Sequence, residues 1–357
     1  MTGYASRAPR VDWVIMNKHG TISHSGPVAG GSKSVVRDSG CGTDEAELDL
    51  AIPDLQQFAR AFQYRDYRRY RTVDGRTDQH LLVSSIREEL SGGARLSRTY
   101  EGTQLNGVAT LERLQWDSEF FGLQMAKLHL LVGPHNRKET AAFLLRNILS
   151  ENTDCNHVAL ALDAQDFDAR FAAEEAGFRM MDTLCSYEYH QDYDTFPSEI
   201  RRRYTVRQYE PRDRDSLLAI ASKCFGGYPN RFSLDPAFGP DVTKRFYVTW
   251  TERCCDMQMA ENLLVAEHNG RVIGFLGWRR LPDLLKYSDI ILHGAGLGGC
   301  VPSKFNAYLE LIWQAIREIG GAPAIFDTHL FNMATIHFYQ CLGLRLVRAR
   351  HTLHLTR

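Results

Sequence analysis

The sequence predicts an α/β (α+β) chain built as two tandem mixed-sheet domains, the first degenerate, behind a flexible N-terminal extension. Three observations predict it. From Leu111 onward, apolar runs of strand length alternate with amphipathic helical stretches. Both halves close on the same succession of helix, glycine and strand. Between them, Asp192 to Arg203 is polar, contains Pro197 and carries Arg201-Arg202-Arg203, the composition of a linker. The expected divisions are an extension over 1–50, a first domain with a helical lead-in over 51–190, a linker over 191–203 and a second domain over 204–357.

Residues 1–50 are rich in glycine, serine and short polar side chains and show no sustained periodicity, hence the expected flexibility. A helix over Asp54 to Tyr70 sets Leu55, Phe58, Ala61 and Phe62 on one side, and its Arg65 to Arg71 end mixes arginine with tyrosine. A second helix runs from Asp78 to Leu90 and meets Gly92-Gly93. The first half then reads as strand Gln124 to Val132, helix Lys138 to Ser150, strand His157 to Leu162, helix Asp166 to Ala176 and strand Phe178 to His190.

The second half opens with strand Tyr204 to Gln208 and helix Arg214 to Phe225. Strands Leu263 to Glu267 and Arg271 to Trp278 flank Asn269-Gly270, a hairpin signal because both turn positions take positive φ. A strand over Ser288 to Leu292 is expected next. Ser303 to Ile319 is the most regular helix, with Phe305, Leu309, Ile312, Trp313 and Ile316 on one face and Gly320-Gly321 behind it. Strand Ala324 to Asp327, helix Asn332 to Leu342 and strand Arg345 to Leu355 complete the chain.

The two endings form an internal repeat in which Asp166 to Gly177 and Asn332 to Gly343 have the same length. Seven residues after Asn332 lies Tyr339, two helical turns on and within about 20° of the same face. The matching position of the first copy is Ala173. If that face carries chemistry, the second copy is the active one.

Composition removes several function classes. Forty-two Lys+Arg against 43 Asp+Glu leave a net charge of -1, without the positive surplus that bulk nucleic-acid binding requires. No apolar run approaches the ~20 residues of a membrane span, and a cytoplasmic location is expected. The eight cysteines show no CxxC spacing and the 13 histidines no HExxH pair, so no metal is expected.

Asn332-Met333-Ala334-Thr335-Ile336-His337-Phe338-Tyr339-Gln340-Cys341-Leu342-Gly343-Leu344 resembles the "N…A…FY…LGF" ending of GCN5-related N-acetyltransferases (GNATs). Element order over Tyr204 to Arg357 is similar to that fold as well. In the first half, Trp116-Asp117-Ser118-Glu119-Phe120-Phe121-Gly122 resembles the N-terminal half of amino-sugar N-acyltransferases of the dTDP-fucosamine acetyltransferase type, where a degenerate first domain backs a working second one. One departure stands out. The R/Q-x-x-G-x-G/A pyrophosphate loop of that superfamily is replaced by Pro302-Ser303-Lys304-Phe305-Asn306, and the glycines sit earlier, at 294, 296, 298 and 299. What a phosphate needs there is backbone N–H at a helix start rather than glycine itself.

The resemblance implies acetyl-CoA as co-substrate and a small-molecule amine, in particular a nucleotide-linked amino sugar, as acceptor. It implies Tyr339 as general acid and Gly299, Val301, Ser303, Lys304, Phe305, Asn306, Asn332 and Tyr339 as the coenzyme side of the site. Trp116, Phe120, Phe121, Glu267, Asp327 and His329 are the substrate-side candidates, and the general base stays open. A backbone N–H near Ser288 to Leu292 or Leu297 to Val301 is expected to polarise the carbonyl. Competing readings are an aminoacyl transferase that draws on charged tRNA, supported by the Arg/Tyr segment at 65–71, a binding module without catalysis, and a protein-lysine acetyltransferase. A homodimer is compatible with each.

Overall fold

The computed structural model describes residues 45–193 and 195–357. Residues 1–44 of the extension expected to be flexible therefore lie outside the described residues; from Glu45 the chain is already helical.

In chain order the first half comprises α1 (Glu45–Ala61), α2 (Gly75–Ser91), β1 (Arg95–Glu101), β2 (Gln104–Arg113), α3 (Gln115–Phe121), β3 (Met125–Val132), α4 (Arg137–Ser150), β4 (His157–Asp163), α5 (Phe167–Glu175) and β5 (Arg179–Tyr189). The second comprises β6 (Thr205–Gln208), α6 (Arg214–Phe225), α7 (Arg231–Leu234), α8 (Pro240–Cys255), β7 (Asn262–His268), β8 (Arg271–Arg280), α9 (Pro282–Tyr287), β9 (His293–Cys300), α10 (Ala307–Ile319), β10 (Ala324–His329), α11 (Met333–Cys341) and β11 (Arg345–Thr356).

The repeat is real at the level of hydrogen bonds. Asp166 and Asn332 cap α5 and α11 by accepting from Ala169 N and Thr335 N. Each helix stops at a left-handed glycine, Gly177 (φ 95°) and Gly343 (φ 73°). The chain then turns back identically: Phe178 N donates to Ala173 O at 3.0 Å, and Leu344 N to Tyr339 O at 2.9 Å. Ala173 and Tyr339 are therefore structural equivalents.

The two halves share one eleven-stranded sheet, ordered β1-β2-β3-β4-β11-β5-β10-β9-β8-β7-β6. Each half lends its last strand to the other. β11 lies between β4 and β5, β5 lies between β11 and β10, and all three of these pairings are antiparallel. A tandem arrangement was expected; this exchange was not, because pairing partners far apart in sequence leave no local signature.

Several elements depart from expectation, among them the unforeseen strands β1 and β2. Ser288 to Leu292 is not a strand; α9 ends at Tyr287, and β9 begins only at His293 and takes up the glycines at 294, 296, 298 and 299. Glycine weakens a strand, but here it permits close approach: a Cβ on Gly298 would meet Leu276 Cδ1 and Tyr308 Cε2 at 2.8 Å. The N-terminal helix is α1, ending at Ala61, and residues 62–74 form turns rather than its continuation.

That turn segment and α2 cover one face of the sheet. Phe58, Phe62, Leu82 and Ile86 bury against Val108 and Leu131, and Tyr70, Val73 and Leu81 against Leu284, Ile325 and Val347 of the second half. The arginines of 65–71 are engaged within the chain. Arg65 pairs with Asp78 at 2.8 Å, Arg69 donates to Gln165 Oε1 at 2.7 Å, and Arg71 pairs with Asp192 at 3.1 Å. The linker is anchored too, with Arg203 N and Tyr204 N donating to the buried Glu310 carboxylate of α10.

Candidate active site

β9 and β10 run parallel for only two residue pairs, Ala324↔His293 and Ile325↔Gly294. Beyond these, β10 follows β5 through His329↔Leu184 while β9 stays with β8. The strands part, and the gap is a cleft of about 610 Å³. Opposite Gly277 of β8, β9 bulges at Gly296-Leu297, because Leu276 pairs with Gly298 but Trp278 with Ala295. A bulge leaves one residue out of the ladder beside the opening.

Tyr339, Asn332, Asp327, His329, Gly299 and Phe305 line this cleft. Tyr339 is 1% exposed, and its hydroxyl donates to Asp327 O at 3.3 Å. Burial, reinforced by Tyr308 and Asp327, pushes its phenol well above the usual tyrosine range, so it is held protonated. Asn332 donates to Tyr228 Oη at 3.1 Å and Thr328 Oγ1 at 3.2 Å while capping α11. Tyr228 is pushed up to about 12, chiefly by burial.

The remaining coenzyme-side candidates, Val301, Ser303, Lys304 and Asn306, are not among the residues lining the cleft; they alternate in sequence with Cys300, Pro302 and Phe305, which are. A 3₁₀ turn over Pro302–Lys304 leads into α10, leaving Ser303 and Asn306 exposed and Lys304 half-buried. Val301 packs between the two large cores of the second half.

Four substrate-side candidates are not brought to the cleft either. Glu267 pairs with Arg207 at 3.1 Å in a separate surface depression at the β6–β7 edge. Trp116, Phe120 and Phe121 form a second layer behind the wall. Trp116 stacks on Phe120 at 4.8 Å and Phe121 on Phe232 at 4.9 Å, and Phe232 and Phe246 are the rings that face the opening. Helix α3 thus buttresses the cleft from the first half.

Several residues of the site were not legible in the sequence. Helix α8 supplies Tyr247 and Trp250, and Phe225, Arg231 and Arg279 complete the wall. The aromatic spacing in α8 and the Gly239-Pro240 start were the available signals. Asp182 was one of several polar residues in a mixed strand, with Arg179, Thr183, Ser186 and Glu188, and nothing local set it apart. From β5 it reaches His329, with Oδ2 lying 3.1 Å from Nδ1 of the imidazole and 3.0 Å from Arg231 N, which donates to it.

The equivalent gap in the first half is closed. β3 and β4 pair from Met125↔His157 to Leu128↔Leu160 and then part. Across the open ends Arg137 donates to Val132 O at 2.5 Å, Gly133 O at 2.8 Å and Asp166 Oδ1 at 2.5 Å, and Tyr64 covers the guanidinium at 5.0 Å.

Among the described residues, one buried cluster has the donor types of a metal centre: His157, Asp235 and His354. Its geometry is that of a hydrogen-bonded clamp, in which Asp235 Oδ2 lies 3.1 Å from His157 Nε2 and 2.7 Å from His354 Nδ1. It ties the α7–α8 segment to β4 and to the exchanged strand β11, behind the wall rather than in the cleft.

No family model matches the chain. It is 21% identical over 259 residues to the spore coat polysaccharide biosynthesis protein SpsD of Bacillus subtilis (strain 168), covering 72% of this chain and 86% of that protein. Among solved structures it is similar to a GCN5-related N-acetyltransferase from Sphaerobacter thermophilus, with a TM-score of 0.55 and 13% identity over 85% of this chain and 92% of that one. It is also similar to a structure of the glucosamine N-acetyltransferase region in a fungal multi-domain GH3 β-N-acetylglucosaminidase, with a TM-score of 0.55 and 14% identity over 86% of this chain and 37% of that one. The chain has the GNAT fold.

Proposed function

We propose that this chain is an acyl-CoA-dependent N-acyltransferase that transfers an acetyl group to the amine of a small molecule, with a nucleotide-linked amino sugar as the acceptor class. One observation carries the reading. The second copy of the repeat keeps an open cleft with a buried phenol, Tyr339, where the first copy has Ala173 and a gap closed by Arg137.

The residues suit the co-substrate. The parted strands and the glycine-rich, bulged backbone of Gly294 to Gly299 leave a slot for an extended arm. The start of the thirteen-residue α10, with Ser303, Lys304 and Asn306 beside it, offers N–H groups and a cation to phosphates without a glycine loop. The bulge at Gly296-Leu297 supports backbone polarisation of a thioester carbonyl. Because Tyr339 is held above the ordinary phenol range, full proton transfer to a thiolate is uphill; its contribution is a hydrogen bond that strengthens as negative charge builds on sulfur.

On the acceptor side, Arg231 and Arg279 stand among the rings of Phe225, Tyr247 and Trp250. Guanidinium groups suit a diphosphate and aromatic faces suit a base or sugar ring. The similarity to a polysaccharide biosynthesis protein agrees with this class. The arginines at 65–71 are paired internally, which removes the feature that favoured a charged-tRNA donor.

Calorimetric titration with acetyl-CoA, followed by turnover on UDP-glucosamine and dTDP-4-amino-4,6-dideoxyglucose, tests the proposal. Binding is expected in the micromolar range. Tyr339→Phe is expected to keep that affinity and lose roughly 10²-fold in rate. Absence of acetyl-CoA binding refutes the reading.

A further inference from the structure

We propose that His329 is the general base of this site and that Asp182, carried in by the strand the first half lends to the second, is its positioning residue. The inference rests on the acyltransferase reading above and supplies the base that reading lacks.

Four observations lead to it. His329 lines the cleft at the end of β10, on the same strand as Asp327, whose carbonyl oxygen accepts from Tyr339. Its Nδ1 lies 3.1 Å from Asp182 Oδ2, and the Asp182 side chain is 1% exposed. The carboxylate is oriented independently of the imidazole, since Arg231 N donates to it at 3.0 Å and Thr352 stands opposite it on β11. The ring is clamped flat, stacked on Phe331 at 5.3 Å and 8° and tilted against Tyr228 at 5.7 Å.

The negative charge of a carboxylate oxygen 3.1 Å from Nδ1 favours the proton on that nitrogen, although the pair is not aligned as a hydrogen bond, and leaves the lone pair on Nε2. Burial alone would raise the Asp182 carboxyl, but His329, Thr352 and Arg231 together hold it below the usual carboxylate range. A buried ionised carboxylate stabilises the imidazolium that forms when the ring takes a proton. The charged and titratable groups about His329 are Asp182 on β5, Tyr228 and Arg231 on the α6–α8 segment and Asp327 on its own strand.

The step balances. An acceptor ammonium gives one proton to His329 Nε2, and the freed amine nitrogen attacks the thioester carbonyl carbon. The N–C bond forms, the C–S bond breaks, and its electron pair leaves with sulfur beside Tyr339. The second amine proton passes to the thiolate, giving amide, thiol and a protonated His329 that returns its proton to solvent.

The test uses the full chain with acetyl-CoA and dTDP-4-amino-4,6-dideoxyglucose, and the variants His329→Gln and Asp182→Asn. Acetyl-CoA affinity by calorimetry is expected to stay within threefold, which also checks folding. Turnover is expected to fall roughly 10²- to 10⁴-fold in His329→Gln and about tenfold or more in Asp182→Asn. In His329→Gln the residual rate should climb with pH up to the acceptor amine's own pKa, because solvent must then deprotonate it. Nitrogen-15 imidazole spectra should show His329 as the Nδ1–H tautomer, and Asp182→Asn should abolish that preference. An unaltered chain that turns over, with a His329→Gln variant of equal rate and pH profile, overturns the base assignment alone. An Nε2–H tautomer overturns the role of Asp182. An unaltered chain that binds no acetyl-CoA overturns the acyltransferase reading, and the base role with it.

Discussion

The guanidinium of Arg137 sits 2.5 Å from the carboxylate of Asp166 and bridges the ends of two parted strands, at the place where Asn332 borders an open cleft in the other half. The first half is therefore sealed by its own side chains, and it supports the cleft of the second half through α3 and β5.

Removing that bridge should cost stability and leave function intact. Asp166 is 4% exposed and Arg137 15%, so Arg137→Ala strands a buried acid, and about 3 kcal/mol should be lost. Urea unfolding measures the loss. Acetyl-CoA affinity in the second half should not change.

Gly298→Ala tests the close approach of β9 to its neighbours. The new methyl would meet Leu276 and Tyr308 at 2.8 Å and Phe275 O at 3.0 Å, one a backbone atom and the others buried side chains. A loss of about 1–3 kcal/mol is expected. Because Tyr308 adjoins Tyr339, acetyl-CoA affinity should fall as well, readable by calorimetry.

The clamp at Asp235 makes stability depend on acid. Burial, with Asp235 opposing and His157 adding, holds the His354 imidazole down to about 4. An unfolded imidazole titrates near about 6.5. Between those values the unfolded chain binds a proton that the folded chain refuses, so stability falls as pH drops through this window, by up to about 1.4 kcal/mol per unit. Below it Asp235 takes over: burial pushes its carboxyl up, but the His157 and His354 bonds hold it well below the usual range, and protonating it removes the clamp. Urea unfolding at pH 7, 6 and 5 should show the slope, and His354→Gln, which keeps an N–H but does not titrate, should flatten it. Treatment with EDTA should leave the slope unchanged.

Strand exchange predicts that neither half folds alone. Without β11, strands β4 and β5 both lose a neighbour; without β5, so do β11 and β10. Residues 1–190 and 204–357 expressed separately should be unfolded or aggregated, and co-expressed they should reassemble. The intact chain should unfold in one transition by both circular dichroism and tryptophan fluorescence.

Much of this protein is written locally. The Asn269-Gly270 turn, with φ 52° and 72°, the caps at Asp166 and Asn332, and the amphipathic stripe of α10 each depend on neighbours within a few residues, and each could be read from residue order. The duplication and its asymmetry, Ala173 against Tyr339, follow from the same local spacing. Strand β9 could not be read this way, because its glycines answer to Tyr308 and Leu276, which only the fold brings near.

The same holds for the most consequential contact. No spacing around Asp182 points to His329, and the acid beside His329 in sequence is Asp327 rather than Asp182. They meet because β5 crosses into the other half and pairs with β10, placing Leu184 opposite His329 and Asp182 within reach. Residue order determined which elements form and which copy bears the phenol. Tertiary structure decided which side chains share the cleft, since sheet partners are chosen by long-range burial and hydrogen bonding, to which local periodicity is blind.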